Sequence, residues 1–500
     1  MKKIFLILLI TLFSFVTANS NEKNKKFNED EKLKEFNQWL FDHGHTKFLK
    51  KNECAECKEN SWKNQDQCFE KNGTPKKQCV IDGDTGLGDF GYKWIDQGIY
   101  QHNLDIKTYN GVLELPEDAR PNDDTIAYFE IRKLMFIERL RERGRIYTIE
   151  PKGNAVEFSF DKNLPSSTLE KELSEGLILS YLFYDNGVIK FNGKAKNGRF
   201  IEDINDETLF FTHSTGKSIT SYIVGHAICD GYISSIDEII NWPLMNNTLY
   251  YGQPLRNLLN MSAGDSHVMT NDKTSRFKGS EIHHRDMGLD TIAYLLQGTK
   301  AKNNKVFYNN ALADIIANYI VFKSGDKYDD LMKKVFQEKI KIKNPVGYEM
   351  HAQTTLHNRV EGYNRSPQTL ASYSYFMTRL DFLRVAEAMM KDYQNKTCVG
   401  NYLRESQEQA KKWYKYRPTT SSMKNPHFWL HNYAKKYGSQ FYFDFYKMKK
   451  RNIMATEGYN GQNMLIDLDN SRIVITNSAA TGWDVRKFML DVIREGKLPE

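Results

Sequence analysis

Ser214 and Lys217 stand three residues apart in Phe211-Thr212-His213-Ser214-Thr215-Gly216-Lys217-Ser218-Ile219-Thr220-Ser221, which opens an apolar run through Tyr222, Val224 and Ile228 to Gly231. On a helix that spacing puts both side chains on one face, with Cβ atoms about 5–6 Å apart, so an amine there reaches a hydroxyl. A neutral amine beside a serine is a base beside a nucleophile, the pairing that attacks a carbonyl carbon. The helix N-terminus adds N–H groups and positive potential, which stabilise an oxyanion and disfavour an ammonium. An ordinary lysine is neutral only about one time in a thousand at pH 7, and lowering its pKa by about three units costs about 4 kcal/mol. The pair therefore needs burial and neighbours drawn from other parts of the chain.

Two further stretches offer them. Asn303 to Asn310 reads NNKVFYNN and runs into ALADIIANYIVF, which is helical in pattern. Tyr308 there supplies a phenol for proton transfer, and Asn310 a carboxamide for a substrate carbonyl or the Lys217 ammonium. Gly458-Tyr459-Asn460-Gly461-Gln462 precedes the apolar Met464–Ile466 run. Its glycines let a substrate approach the backbone, and the Gln462 N–H can complete an oxyanion hole with that of Ser214. Separately each stretch is ordinary: a chance Ser-x-x-Lys, a core tyrosine with a capping asparagine, a turn. His213 sits just before the helix, and no Ser-His-Asp arrangement is required when lysine is the base.

Taken in order, HSTGKS, LRNLLNMSAGD (Leu255–Asp265), FYNNALADIIANYI and GYNGQNMLIDLD resemble the serine β-lactamase-related superfamily. It comprises class C β-lactamases, D,D-peptidases, esterases and 6-aminohexanoate-dimer hydrolases. The resemblance runs from about Leu164 to the C-terminus. It implies Ser214 as nucleophile, Lys217 as its base partner, Tyr308 and Asn310 as the Tyr-x-Asn pair, and Tyr459 and Gly461 as the ends of the Lys-Thr-Gly or His-Thr-Gly element. Many β-lactamases carry lysine where this chain has Tyr459, and a phenol there offers a carboxylate only a hydrogen bond. The wording GYNGQ and LLNMSAGD is most similar to the 6-aminohexanoate-dimer hydrolase and esterase branch. The resemblance implies an acyl-enzyme hydrolase for a small-molecule ester or amide, needing no metal or cofactor. Its alternatives are a β-lactamase or D,D-peptidase acting on cell-wall-like substrates, and a non-catalytic wall-binding protein.

The elements that must position these residues are legible in outline. Ser166-Ser167-Thr168 with Leu169-Glu170 caps a helix ending at Gly176. LILSYLFY and VIKFNGKAK flank Asp185-Asn186-Gly187, a hairpin signal. A second hairpin is expected from Asn463–Ile466 and Arg472–Asn477 around Asp467–Ser471, a helix over Leu380–Met390, and a closing helix over Asp484–Arg494. Strands at both ends with mainly helices between predict an α+β (α/β sandwich) fold: an antiparallel sheet flanked by helices, with a mainly helical insertion. Amphipathic helices are also expected over Leu33–Leu40 and Thr125–Arg143, with a Gly/Asp-rich loop over Ile81–Tyr92.

Lys2-Lys3, the apolar Ile4–Val16 and the small residues at Val16-Thr17-Ala18 read as a signal peptide cut after Ala18, hence a periplasmic or secreted protein with no span left after cleavage; an uncleaved anchor is the weaker reading. The expected division is 1–18 signal peptide, 19–163 accessory region and 164–500 hydrolase domain. A net charge of +7 over 500 residues is far from a nucleic-acid binder's basic stripe, and the lysine-rich Lys23–Lys34 and Lys47–Lys51 read as solvated surface. Cys54, Cys57, Cys68 and Cys79 suggest two disulfides of open connectivity, with a zinc knuckle as rival. Cys229 and Cys398 lie in apolar helical patterns and read as buried free thiols. His43 with His45, and His283 with His284, lack a third ligand, so no metal site is expected. Oligomeric state has no signature in the sequence.

Overall fold

The computed structural model describes residues 108–109, 113–114, 146–175, 178–195, 204–269, 289–350, 369–370, 372, 374–413, 429–448, 451–459, 461–478 and 483–500. The signal-peptide stretch, the four clustered cysteines, the two histidine pairs and the expected elements at 33–40, 81–92 and 125–143 lie outside the described residues.

Besides a small hairpin of Thr108–Tyr109 with Leu113–Glu114, the strands are β1 (Ile146–Ile149), β2 (Ser159–Phe160), β3 (Ile178–Asp185), β4 (Val188–Lys194), β5 (Leu209–Phe211), β6 (Val346–Glu349), β7 (Phe376–Thr378), β8 (Lys411–Lys412), β9 (Ala434–Gly438), β10 (Phe441–Phe445), β11 (Ile453–Gly458), β12 (Gln462–Asp467) and β13 (Arg472–Ser478). The principal helices are α1 (Ser167–Glu175), α2 (Thr215–Cys229), α3 (Asn310–Ser324), α4 (Arg379–Gln394), α5 (Cys398–Glu408) and α6 (Asp491–Glu495). A nine-stranded sheet runs β8-β9-β10-β11-β12-β13-β3-β4-β2, and a four-stranded sheet runs β1-β6-β7-β5. Pairing is antiparallel throughout both, apart from the parallel β2–β4 edge. Antiparallel sheets flanked by helices are thus the architecture, as expected. Strands β1 and β2 bring residues from before 164 into both sheets.

Both expected hairpins form. Asn186 at φ 49° and Gly187 at φ 90° make the turn between β3 and β4, with positive φ at both central residues as a two-residue hairpin requires. β12 and β13 pair from Asn463–Thr476 to Asp467–Arg472. Every residue of β12 is buried, so is all of β13 after Arg472, and β3 is buried up to Asp185. Strands buried on alternate and intervening positions alike must be covered on both faces. α1 and α6 pack against them, as do α2 and α4. β4, nearer the edge, alternates buried and half-buried positions instead.

The stretch between the hairpins is mainly helical, as expected, with β5, β6 and β7 building the small sheet and β8 to β10 extending the large one. One feature departs from expectation. Cys229 and Cys398 are not free thiols: they form a disulfide from the last residue of α2 to the first of α5. Cys229 sits at a helix end rather than in its buried middle, where an apolar pattern cannot reveal a facing sulfur. α2 is buried along nearly its whole length, the expected environment for a helix apolar all round. The closing helix begins as a π turn over Arg486–Leu490 before α6. No helix among the described residues is long and apolar enough to cross a membrane.

Candidate active site

The chain leaves β5 at Phe211, turns through Thr212 and His213, and enters α2 with Ser214 as its cap. His213 makes the turn at φ 45°, a left-handed conformation that costs a non-glycine residue of order 1 kcal/mol and clusters at functional sites. Its buried ring lies 6.4 Å from that of Phe211 and 5.7 Å from that of Tyr459. The start of α2 is tied to the large sheet, because Thr215 Oγ1 donates to the Gln462 carbonyl at 2.7 Å and lies 3.1 Å from Thr456 Oγ1.

Lys217, only 1% exposed, turns back along the helix and donates from Nζ to Ser214 Oγ at 2.8 Å and to the Ser372 carbonyl at 3.1 Å. Burial pulls its pKa from 10.5 down to about 7, against the opposing charge of Asp314. The expected burial of this amine is present. Nζ also lies 5.1 Å from the centre of the Tyr308 ring. Burial holds the Tyr308 phenol well above the ordinary tyrosine range, although its hydrogen bond with Ser214 works the other way, and the Glu457 charge adds to the rise. Serine, amine and phenol therefore converge, with the amine poised to change charge near neutrality and the phenol keeping its proton.

Tyr308 is delivered by a loop that the LLNMSAGD stretch holds. Phe307 N donates to the Met261 carbonyl at 2.7 Å, and Lys302 N to that of Gly264 at 3.2 Å. Asp265 Oδ2 accepts from Tyr250 Oη and from Asn309 Nδ2, both at 3.0 Å. Asn309, not Asn310, caps α3, its side chain accepting from Leu312 N at 3.1 Å. Burial pushes the Asp265 carboxyl up to about 6, the two hydrogen bonds opposing it. Asn310 is the first residue of α3 and is buried.

The Gly458–Gln462 turn closes the site from the large sheet. Gly461 has φ +80°, and a Cβ there would meet Ser478 Oγ at 2.3 Å and the Trp483 ring at 3.0 Å. Glycine is required on both counts. The Gln462 side chain is spent on structure, donating to the Ser478 carbonyl at 2.6 Å and accepting from Asn477 Nδ2 at 3.1 Å. Tyr459 stacks on Trp429 at 6.1 Å.

Sequence reasoning missed Asp314 and Ser372. Asp314 Oδ1 accepts from Ser372 N at 2.8 Å and Oδ2 from Ser372 Oγ at 3.0 Å, and so aims the carbonyl that Lys217 bonds. A charged residue in the middle of the apolar ALADIIANYI run was the available signal, since a buried carboxylate needs partners. It also missed Glu457, whose carboxylate accepts from Leu430 N at 2.7 Å, His431 N at 2.9 Å and His431 Nδ1 at 2.6 Å. No group of three or more potential metal ligands occurs among the described residues.

No protein-family model matches the chain. An uncharacterized protein of Alkalihalophilus pseudofirmus is 21% identical over 198 residues, 39% of this chain; the chain spans only 56% of that relative's length. Among solved structures, a proposed 6-aminohexanoate-dimer hydrolase from Bacillus anthracis is similar with TM-score 0.46 and 13% identity, over 71% of this chain and 92% of that one. D-amino acid amidase from Ochrobactrum anthropi, complexed with D-phenylalanine, gives 0.45 and 14%, over 66% and 97%. A penicillin binding protein from Bacillus halodurans gives 0.41 and 14%, over 61% and 93%. Serine β-lactamase-fold proteins are what this chain is similar to.

Proposed function

We propose that the protein is an exported serine hydrolase that cleaves an ester or amide through an acyl-enzyme on Ser214. The observation that carries this reading is the Lys217 amine, 2.8 Å from Ser214 Oγ and pulled down to about 7. A general base is most effective when its pKa lies near the working pH. Neutral Lys217 takes the hydroxyl proton as Oγ attacks the carbonyl carbon. The N–H groups of Ser214 and Gln462 hold the oxyanion, with the Asn310 carboxamide on the substrate carbonyl. The proton passes to the leaving oxygen or nitrogen through the Tyr308 phenol, which stays protonated at neutral pH and can give one proton as it receives another. Water then attacks the acyl ester by the same route and frees Ser214. The scheme closes without a metal or cofactor.

Export rests on the Lys2–Ala18 leader pattern, and the Cys229–Cys398 disulfide supports an oxidising compartment. The test is labelling by a fluorophosphonate, which phosphonylates an activated serine. Native protein should label and Ser214→Ala should not; equal labelling of both would refute the assignment. Fluorescent penicillin retained on Ser214 would favour the β-lactamase or D,D-peptidase alternative.

A further inference from the structure

Aromatic rings form a closed circuit that begins and ends at the nucleophile. The Tyr308 phenol bonds Ser214, and its ring lies 6.2 Å from Trp413. Trp413 lies 6.1 Å from His431, His431 5.7 Å from Trp429, Trp429 6.1 Å from Tyr459, and Tyr459 5.7 Å from His213. His213 is the chain neighbour of Ser214. Ser214, Tyr308, Trp413, Trp429, His431 and Tyr459 are all half-buried, each keeping part of its surface open. A second row behind them is closed: Tyr437 and Tyr442 are buried and lie 5.1 and 5.4 Å from Trp413. The rings come from five separate stretches of chain, so no helix or strand periodicity accounts for their convergence.

Rings that serve only as core bury both faces, whereas these stop half-buried in a circuit that closes on Ser214. The Trp429–His431 arm is held rigidly, because Glu457 accepts from both backbone N–H groups after Trp429 and from the His431 ring. That carboxylate is thereby occupied and does not face the opening as a free anion. Pre-set aromatic rings favour a flat apolar partner in stacked or edge-to-face contact.

We infer that this collar is a specificity subsite for an aromatic ring carried next to the scissile carbonyl, so that the substrates are neutral aryl-bearing esters or amides. The inference rests on Ser214 being the nucleophile. It is tested by boronic acids, whose boron accepts Ser214 Oγ to form a reversible tetrahedral adduct without any turnover. Phenylboronic acid should protect Ser214 from the fluorophosphonate at about tenfold lower concentration than n-butylboronic acid, the order expected for one good ring contact. In Trp429→Ala that advantage should fall to about twofold or less, while Trp429→Phe keeps most of it. Protection by n-butylboronic acid should be unchanged in both variants, which shows that the fold and the nucleophile survive. Equal protection by the two acids in the native protein, or an aryl advantage untouched by Trp429→Ala, overturns the inference while leaving Ser214 as nucleophile. Stronger protection by an alkylboronic acid bearing a trimethylammonium group would also overturn it, in favour of a cation cage. Labelling that does not depend on Ser214 would instead sink the underlying reading.

Discussion

Replacing Lys217 by methionine should abolish activity and stabilise the protein, with a pH signature that a purely structural lysine does not have. The folded chain gives up the Lys217 proton at about 7, whereas an unstructured chain holds it to about 10.5. Between those values the unfolded state binds more protons, so native stability rises with pH and is penalised in full below about 7. At about 1.4 kcal/mol per tenfold step, the penalty is about 4 kcal/mol at pH 7 and vanishes above pH 10.5. Methionine fills a similar volume without the charge. It forfeits the hydrogen bonds to Ser214 Oγ and to the Ser372 carbonyl, and leaving that buried carbonyl unpaired costs about 1–3 kcal/mol. The net expectation at pH 7 is a gain of about 1–3 kcal/mol, read as a higher urea midpoint with the slope unchanged. The decisive measurement is the difference between variant and native protein from pH 6 to pH 10. It should shrink steadily above pH 7 and reverse sign as the native amine is relieved of its charge. A difference constant across that range, or a variant less stable at every pH, would refute the claim that this amine is held neutral by burial. In the native enzyme kcat/KM should rise with pH through a midpoint near 7.

Three other outcomes follow from the site. Tyr308→Phe keeps the ring against Lys217 but removes the proton carrier, and should lower kcat by about 10²–10⁴ without moving the midpoint near 7; a change below twofold would exclude the phenol from the relay. Asp314→Asn retains an acceptor for Ser372 N–H but removes the anion that favours the ammonium, so the rising limb of the pH profile should move to lower pH; an upward move would contradict the charge coupling. Cys229→Ser with Cys398→Ser opens a link between residues 169 apart in sequence and should cost about 2–5 kcal/mol, seen as a lower Tm. kcat/KM at 25 °C should hold, and a Tm of the native protein indifferent to reductant would argue against the disulfide.

Local chemistry was legible wherever it was written in adjacent residues. Asn186-Gly187 specified its hairpin because few other residues take positive φ at both positions of a two-residue turn. Ser-x-x-Lys specified a shared helical face because 3.6 residues make a turn. Of the residues that the joint order of four short stretches pointed to, Ser214, Lys217 and Tyr308 lie together in the structure. Where a residue's role depended on a distant partner, sequence pattern was silent or misled. Cys229 and Cys398 each matched an apolar helix, and only their apposition across 169 residues makes them a disulfide. Which asparagine caps α3 was open in the sequence; Asn309 does so, its amide held by Asp265.

From the sequence alone came the kinds of groups available, a serine, a lysine and a tyrosine, and the spacing that lets two of them share a helix face. The fold decided how readily the lysine loses its charge, because neutrality depends on how completely water is removed from the amine and which charges remain nearby. It also decided what surrounds the serine, since a ring of aromatics from five stretches exists only when strands and loops far apart in the chain are folded against one another. Spacing is a property of covalent geometry and can be read in order, whereas desolvation and enclosure are sums over neighbours in space.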